Sequence, residues 1–233
     1  MARIGRFVVA DAPHHVTQRG NRREPVFFSD DDYALYRDLL HEACGRESVA
    51  VWAYCLMPNH VHLILTPRTP EGLGRALGKA HRRYSGFVNA RARVTGHLFQ
   101  SRFSSVAMDE EHLMAAARYV ALNPVRARLV GRAEDWRWSS AAAHLAGCDD
   151  GLVEVAPLLA RCGGRFAEFL DQAPDEAKIA ALRAAETIGR PLGGPAFLDS
   201  LAAIVGRDPR PAKRGRKKQN REPPPGAHEP GKS

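Results

Sequence analysis

Two apolar runs, Val49 to Leu56 and His60 to Leu65, are joined only by Met57-Pro58-Asn59. The first is rich in β-branched and aromatic residues, which marks a buried strand. So short a link makes the two runs antiparallel neighbours in one sheet. The second run carries two histidines, in Pro58-Asn59-His60-Val61-His62-Leu63-Ile64-Leu65. In a strand, residues i and i+2 point to the same face. His60 and His62 therefore project together, while Val61, Leu63 and Leu65 face the other way. Two imidazoles on one rigid strand make half of a metal site. Taken alone, they also read as ordinary strand residues.

The remaining elements follow from periodicity and punctuation. Val8 to Arg19 reads as a first strand, closed by the turn signal Gly20-Asn21. Ser29-Asp30-Asp31-Asp32 starts a helix whose Tyr36, Leu39, Leu40 and Ala43 recur at helical spacing before Gly45. Glu71 to Ala92 is a basic helix with Leu73, Leu77, Ala80, Tyr84 and Phe87 on its apolar side. His97 to Met108 reads as extended. Asp109 then caps a helix to Asn123, with Glu110 and Glu111 in its first turn and Pro124 at its end. The order strand, helix, strand, strand, helix, strand, helix predicts an α+β fold with helices packed on an antiparallel sheet.

After Trp136-Arg137-Trp138-Ser139-Ser140 the chain is Ala-rich and helical to about Gly206, and Pro195 to Val205 forms the last helix. The expected organisation is a principal domain over 1–148, a helical extension over 149–206 and a basic, Pro-rich tail over 207–233 that is disordered when unbound.

The net charge of +8 is unevenly placed. Pro67 to Phe103 and Arg207 to Arg221 each hold eight basic residues and one acid. Two such concentrations point to a polyanion, and nucleic acid is the partner they suit. The tail segment Lys213-Arg214-Gly215-Arg216-Lys217-Lys218 resembles an AT-hook core for an A·T-rich minor groove; a non-specific anchor fits it as well. No apolar run reaches the roughly 20 residues of a membrane span. The N-terminus shows no secretory pattern and the four cysteines form no Cys-x-x-Cys pair, so a cytoplasmic, nucleoid-associated protein is expected.

Tyr119 and Asn123 stand at i and i+4 on the helix after Asp109, one turn apart and off the stripe of Leu113, Ala117 and Val120. Separately, such a tyrosine packs its ring and such an asparagine precedes a helix-ending proline. Arg19-Gly20-Asn21, Met57-Pro58-Asn59-His60-Val61-His62, Arg118-Tyr119, Asn123-Pro124-Val125-Arg126 and Trp138-Ser139-Ser140 occur in that order. The ordered set resembles the single-tyrosine HUH transposases, in particular their REP-associated branch, over roughly residues 5 to 145.

The resemblance implies a ferredoxin-like (RRM-like) antiparallel sheet with helices on one face. It implies that Tyr119 attacks single-stranded DNA and becomes joined to a 5′ phosphate. It implies that His60, His62 and Asn123 hold a divalent metal, magnesium or manganese rather than zinc. The DNA would be a hairpin-forming repeat, held by Arg19, Asn21, Arg22 and Arg23 after the first strand, by Arg82 and Arg83, by Arg102, and by Arg214 and Arg216 of the tail. His14 and His15 lie near enough to matter, and strand alternation lets only one of them face the site. The family's usual glycine after Asn-Pro-Val-Arg-Ala is Arg128 here, which bears on the local turn. Monomer and homodimer are both compatible. Two rival readings use the same residues: a replication-initiator or relaxase-like nickase, and a domesticated hairpin-binding regulator without turnover.

Overall fold

The computed structural model describes residues 5–211. Strands β1 (His14–Arg19), β2 (Val49–Met57), β3 (His60–Pro67) and β4 (Ser104–Ala107) form one antiparallel sheet in the order β2-β3-β1-β4. Helix α1 (Asp30–Arg46) connects β1 to β2, and α2 (Gly72–Ala92) connects β3 to β4. This is the ferredoxin-like arrangement that the family resemblance implies, and it agrees with the α+β element order. Helix α3 (Glu110–Ala121) follows β4, and the short α4 (Asn123–Arg126) follows it after a break at Leu122. The chain continues through α5 (Ala141–Ala146), α6 (Ala156–Arg161), α7 (Phe166–Asp171), α8 (Glu176–Ile188) and α9 (Pro195–Val205). Arg214, Arg216 and the rest of the Lys213–Lys218 run lie outside the described residues.

The sheet divides two cores. Val16, Tyr54, Leu56, Val61, Leu63 and Leu65 pack against α1 and α2, through Tyr36, Leu40, Leu73, Leu77 and Tyr84. Ala53, Cys55, Met57, Ile64 and Val106 pack on the opposite face, against Leu113, Ala117 and Val120 of α3. That second core also takes Leu158, Phe166 and Phe169, and Ile179, Leu182 and Ala185 of α8. Much of the 149–206 segment is thus packed into the face that carries His62. A bulge between Val51 and Ala53 re-phases β2, so that Val51 and Tyr54 both reach the α1–α2 side.

Two strands are shorter than periodicity predicts. Asp11 sits in the left-handed region at φ 59, and Pro13 has no N–H for the ladder. The Val9 N–H is instead taken by His14 Nε2 at 3.2 Å. Before β4, Gln18 Nε2 donates to the Ser101 carbonyl at 3.0 Å, holding that stretch as a loop. Gly20 is sterically required, since a Cβ there would lie 2.1 Å from the Glu24 carbonyl oxygen and 2.9 Å from Val26 Cγ1. Arg128 takes a left-handed φ of 58, so the turn that a glycine would make freely is made here by an arginine.

Trp138 stacks on Tyr33 at 4.9 Å, and Trp136 Nε1 donates to the Leu56 carbonyl at 3.0 Å. Both tryptophans therefore anchor the return of the chain onto β2. Among the described residues, no helix is long and apolar enough to cross a membrane.

Candidate active site

Register decides what faces the second core. Thr17 pairs with His62, Arg19 with His60 and His15 with Ile64, so His15, Thr17 and Arg19 line up beside the histidine strand. His14 falls on the other face, where its Nδ1 donates to the Ala12 carbonyl at 2.8 Å. The rings of His60 and His62 meet at a centroid distance of 4.8 Å. Tyr119, from α3, lies edge-on to His62 at 5.3 Å. Asn123 is buried one turn further on, at the start of α4. The structure thus joins strand and helix at the His62–Tyr119 contact, with Asn123 fixed by the α3–α4 break behind it.

Both histidines of β3 are turned by a hydrogen bond at Nδ1. His60 Nδ1 contacts Asn59 Oδ1 at 2.6 Å, and Asn59 Nδ2 donates to the Arg23 carbonyl at 2.9 Å. With its amide nitrogen committed, Asn59 offers only its oxygen to His60, so His60 Nδ1 carries the proton and Nε2 keeps its lone pair. His62 Nδ1 contacts His15 Nε2 at 3.0 Å. His62 Nε2 is buried and has no hydrogen-bond partner among the described residues. Buried polar atoms without partners are rare, and an imidazole nitrogen of this kind suits a metal ion.

Electrostatics keep these rings neutral. Burial, aided by Arg19, pushes His60 down to about 4. Burial, then the neighbouring His15 and His60, holds His62 well below the usual imidazole range. Burial alone pushes His15 down to about 3. Neutral imidazoles are the form that ligates metals.

The C-terminal helix α8 contributes residues that motif reading missed. Arg183 lies over the Tyr119 ring, with its guanidinium 5.4 Å from the ring centroid. Arg126 of α4 lies 5.7 Å from the same ring. Glu186 Oε1 is 3.7 Å from His15 Nδ1. Burial pushes Glu186 up to about 7 against the opposing pull of Arg19 and Arg183. His15, His62 and Glu186 present nitrogen and oxygen atoms all within 4.8 Å of one another. The only local signal for these partners is the alternation that admitted one of His14 and His15; α8 itself carries none.

The expected DNA contacts fall into two groups. Arg19 and Arg102 line a cleft of about 720 Å³ with Arg6, Gln18, Gln100 and Glu186, next to the histidines. Asn21, Arg22 and Arg23 are exposed on a tight turn beside it, with Arg22 and Arg23 at φ 53 and 64. Arg82 and Arg83 sit on α2, in the opposite layer, where Arg83 pairs with Glu42 of α1 at 2.5 Å.

The family model of IS200-like transposases matches residues 8–123, a span from the approach to β1 through Tyr119 to Asn123. The chain belongs to the IS200-like transposases. The solved structure of a REP-associated tyrosine transposase bound to a REP hairpin superposes with a TM-score of 0.55 at 18% identity, covering 66% of this chain and 90% of that one. A putative transposase from Deinococcus radiodurans R1 is similar at 22% identity, covering 55% of this chain and 92% of that one, with a TM-score of 0.36. No curated protein is similar to this transposase at a significant level. The family match ends at Asn123, so α8 and its two contributions to the site lie beyond it.

Proposed function

We propose that this transposase cleaves and rejoins single-stranded DNA at hairpin-forming repeats through a covalent tyrosine intermediate, as a member of the REP-associated branch. The observation that carries this reading is Tyr119 held against His62, whose Nε2 is buried and unpartnered. His60 Nε2, His62 Nε2 and the Asn123 side-chain oxygen are the donors we assign to a divalent metal, and such nitrogen and oxygen donors suit magnesium or manganese. Such a cation would supply Lewis acidity to a phosphodiester oxygen.

The chain's own groups supply the rest. Tyr119 Oη forms a bond to phosphorus as the bond from phosphorus to the 3′ oxygen breaks. The phenol loses one proton and the departing 3′ oxygen gains one. The product is a 5′-phosphotyrosine and a free 3′ hydroxyl, and the reverse reaction rejoins the strand without a nucleotide cofactor. Arg183 and Arg126 flank the Tyr119 ring and are placed to balance negative charge on Oη and the phosphoryl oxygens. Arg19 and Arg102 line the cleft, Asn21 and Arg22 stand on the exposed turn after β1, and together they hold the DNA backbone. Arg82 and Arg83, in the other layer, suit a duplex stem that wraps the edge of the sheet, and the basic run with Arg214 and Arg216 suits further DNA contact by its charge.

The experiment incubates the protein with labelled single-stranded hairpin DNA and manganese or magnesium, then looks for an SDS-resistant adduct. Adduct in the parent, absent from Tyr119→Phe and His60→Ala, is expected. Tight hairpin binding with no adduct under either metal refutes the nuclease reading and favours a regulator without turnover.

A further inference from the structure

We infer that Glu186 of α8 positions His62 through His15, in a carboxylate–imidazole–imidazole chain that fixes which nitrogen of His62 faces the active site. The inference rests on the reading of His62 as a metal ligand.

The geometry between the two imidazoles is restrictive. Their nitrogens are 3.0 Å apart, their planes differ by 7° and their centroids are 5.2 Å apart. That centroid distance is close to the largest that one such N···N contact allows. Centroid, nitrogen, nitrogen and centroid therefore lie nearly on one line, the geometry of a straight N–H···N hydrogen bond. Two nitrogens facing each other in this way leave no room for a cation between them. The close grouping of His15, His62 and Glu186 is therefore better explained by proton placement than by shared ligation.

Proton placement then propagates. A neutral imidazole has one N–H and one lone pair. For His62 Nε2 to offer a lone pair, His62 Nδ1 must carry the proton and give it to His15 Nε2. His15 then carries its own proton on Nδ1, which faces Glu186 Oε1 at 3.7 Å. That separation exceeds a hydrogen bond, yet both atoms are buried and neither has another partner among the described residues. A hydrogen bond there requires Glu186 Oε1 to approach His15 Nδ1 by about 0.5–1 Å. The carboxylate backbone is already pinned, because Ser104 Oγ of β4 donates to the Glu186 carbonyl at 2.5 Å. Without Glu186, nothing buried beside His15 Nδ1 would accept its proton, and the two rings could exchange tautomers. Carboxylates that orient a ligating histidine are a recurrent device of metal sites, although here a second imidazole intervenes.

The test uses the full chain, free of metal, with nitrogen-15-labelled histidine. Long-range proton–nitrogen spectra report which ring nitrogen of His62 is protonated. The expected parent signature is a protonated Nδ1 and a bare Nε2. Glu186→Ala should lose it and show tautomer exchange at both His15 and His62. Glu186→Gln keeps an acceptor oxygen and should retain it. Manganese affinity, read by electron paramagnetic resonance, should fall roughly 10-fold to 100-fold in Glu186→Ala and little in Glu186→Gln. A parent His62 protonated at Nε2, or a signature unchanged in Glu186→Ala, overturns the inference. Glu186→Gln losing manganese as completely as Glu186→Ala also overturns it, by making the carboxylate a ligand. A parent that shows the signature, loses it in Glu186→Ala and binds no manganese supports the chain while refuting the metal reading.

Discussion

Tyr119 meets His62 edge-on, with ring planes at 86° and centroids 5.3 Å apart. One residue comes from a helix and the other from a strand of the sheet beneath it, so their meeting depends on how α3 packs. That packing is set by Leu113, Ala117 and Val120, on a different stripe of the same helix. The Tyr119–His62 contact and core packing are thereby tied to one helix rotation.

Arg183 should matter to chemistry more than to DNA affinity. Arg183→Ala removes the guanidinium beside the Tyr119 ring and leaves the ring packed on His62. Single-turnover adduct formation is expected to slow by roughly 10-fold to 100-fold. Hairpin affinity, measured on the same variant by fluorescence anisotropy, should change less than about threefold, since one phosphate contact at most is lost. An unchanged cleavage rate would remove Arg183 from the site.

Asn59 should orient His60, the first of the proposed metal ligands. Asn59→Ala frees His60 Nδ1 from its only hydrogen bond and frees the Arg23 carbonyl with it. Manganese affinity is expected to fall by about 10-fold to 100-fold, while far-ultraviolet circular dichroism stays unchanged. Parent-like affinity in that variant would show that His60 needs no such support.

Acid should weaken the fold. Burial pushes His14 down to about 4 and His81 down to about 3. In the unfolded chain both titrate near 6.5. Between those values the unfolded chain binds more protons, so stability rises with pH and is lost as pH falls from about 6.5 towards 4. His15, His60 and His62 act in the same sense. His144, also lowered by burial, joins them, and Glu186, raised to about 7, acts in the opposite sense, as one group against six histidines. The urea midpoint should therefore be lower at pH 5 than at pH 7, and His81→Gln should narrow the gap. An equal or higher midpoint at pH 5 contradicts this.

The C-terminal helices should unfold with the sheet. Leu182 of α8 is 2% exposed within the second core, alongside Ala117 and Val120 of α3. Leu182→Ala is expected to cost about 2–5 kcal/mol, shifting one cooperative transition. Two separated transitions in calorimetry would instead mark residues 149–206 as an independent unit.

Much of the fold was legible because its signals are local. The three-residue link before His60 specified the β2–β3 hairpin, and Asp109 marked the start of α3, where its side chain accepts from the His112 N–H at 3.0 Å. Tyr119 and the paired histidines were legible as motifs. The strand ends were not, because Asp11 and Gln18 act through a backbone angle and a long-range hydrogen bond. Arg183 and Glu186 were invisible for a stronger reason: they sit 64 and 67 positions beyond Tyr119 on a helix whose sequence shows only amphipathic spacing. Their role exists only once α8 packs against α3 and β4. Asn59 fell between the two cases, legible as a turn residue but not as the orienter of His60.

Strand β1 carries His15, Thr17 and Arg19 towards the histidines, and Val16 towards the other core. Its neighbours on both sides fix where each of these residues stands. Inserting or deleting one codon there does what no substitution does, because it exchanges the two alternating sets wholesale. His14, Val16 and Gln18 would then face the chemistry, and an arginine would be pressed into the hydrocarbon of α1 and α2. Six residues of ladder thus hold a reading frame of their own, one that point variation can erode but only a change of length can break.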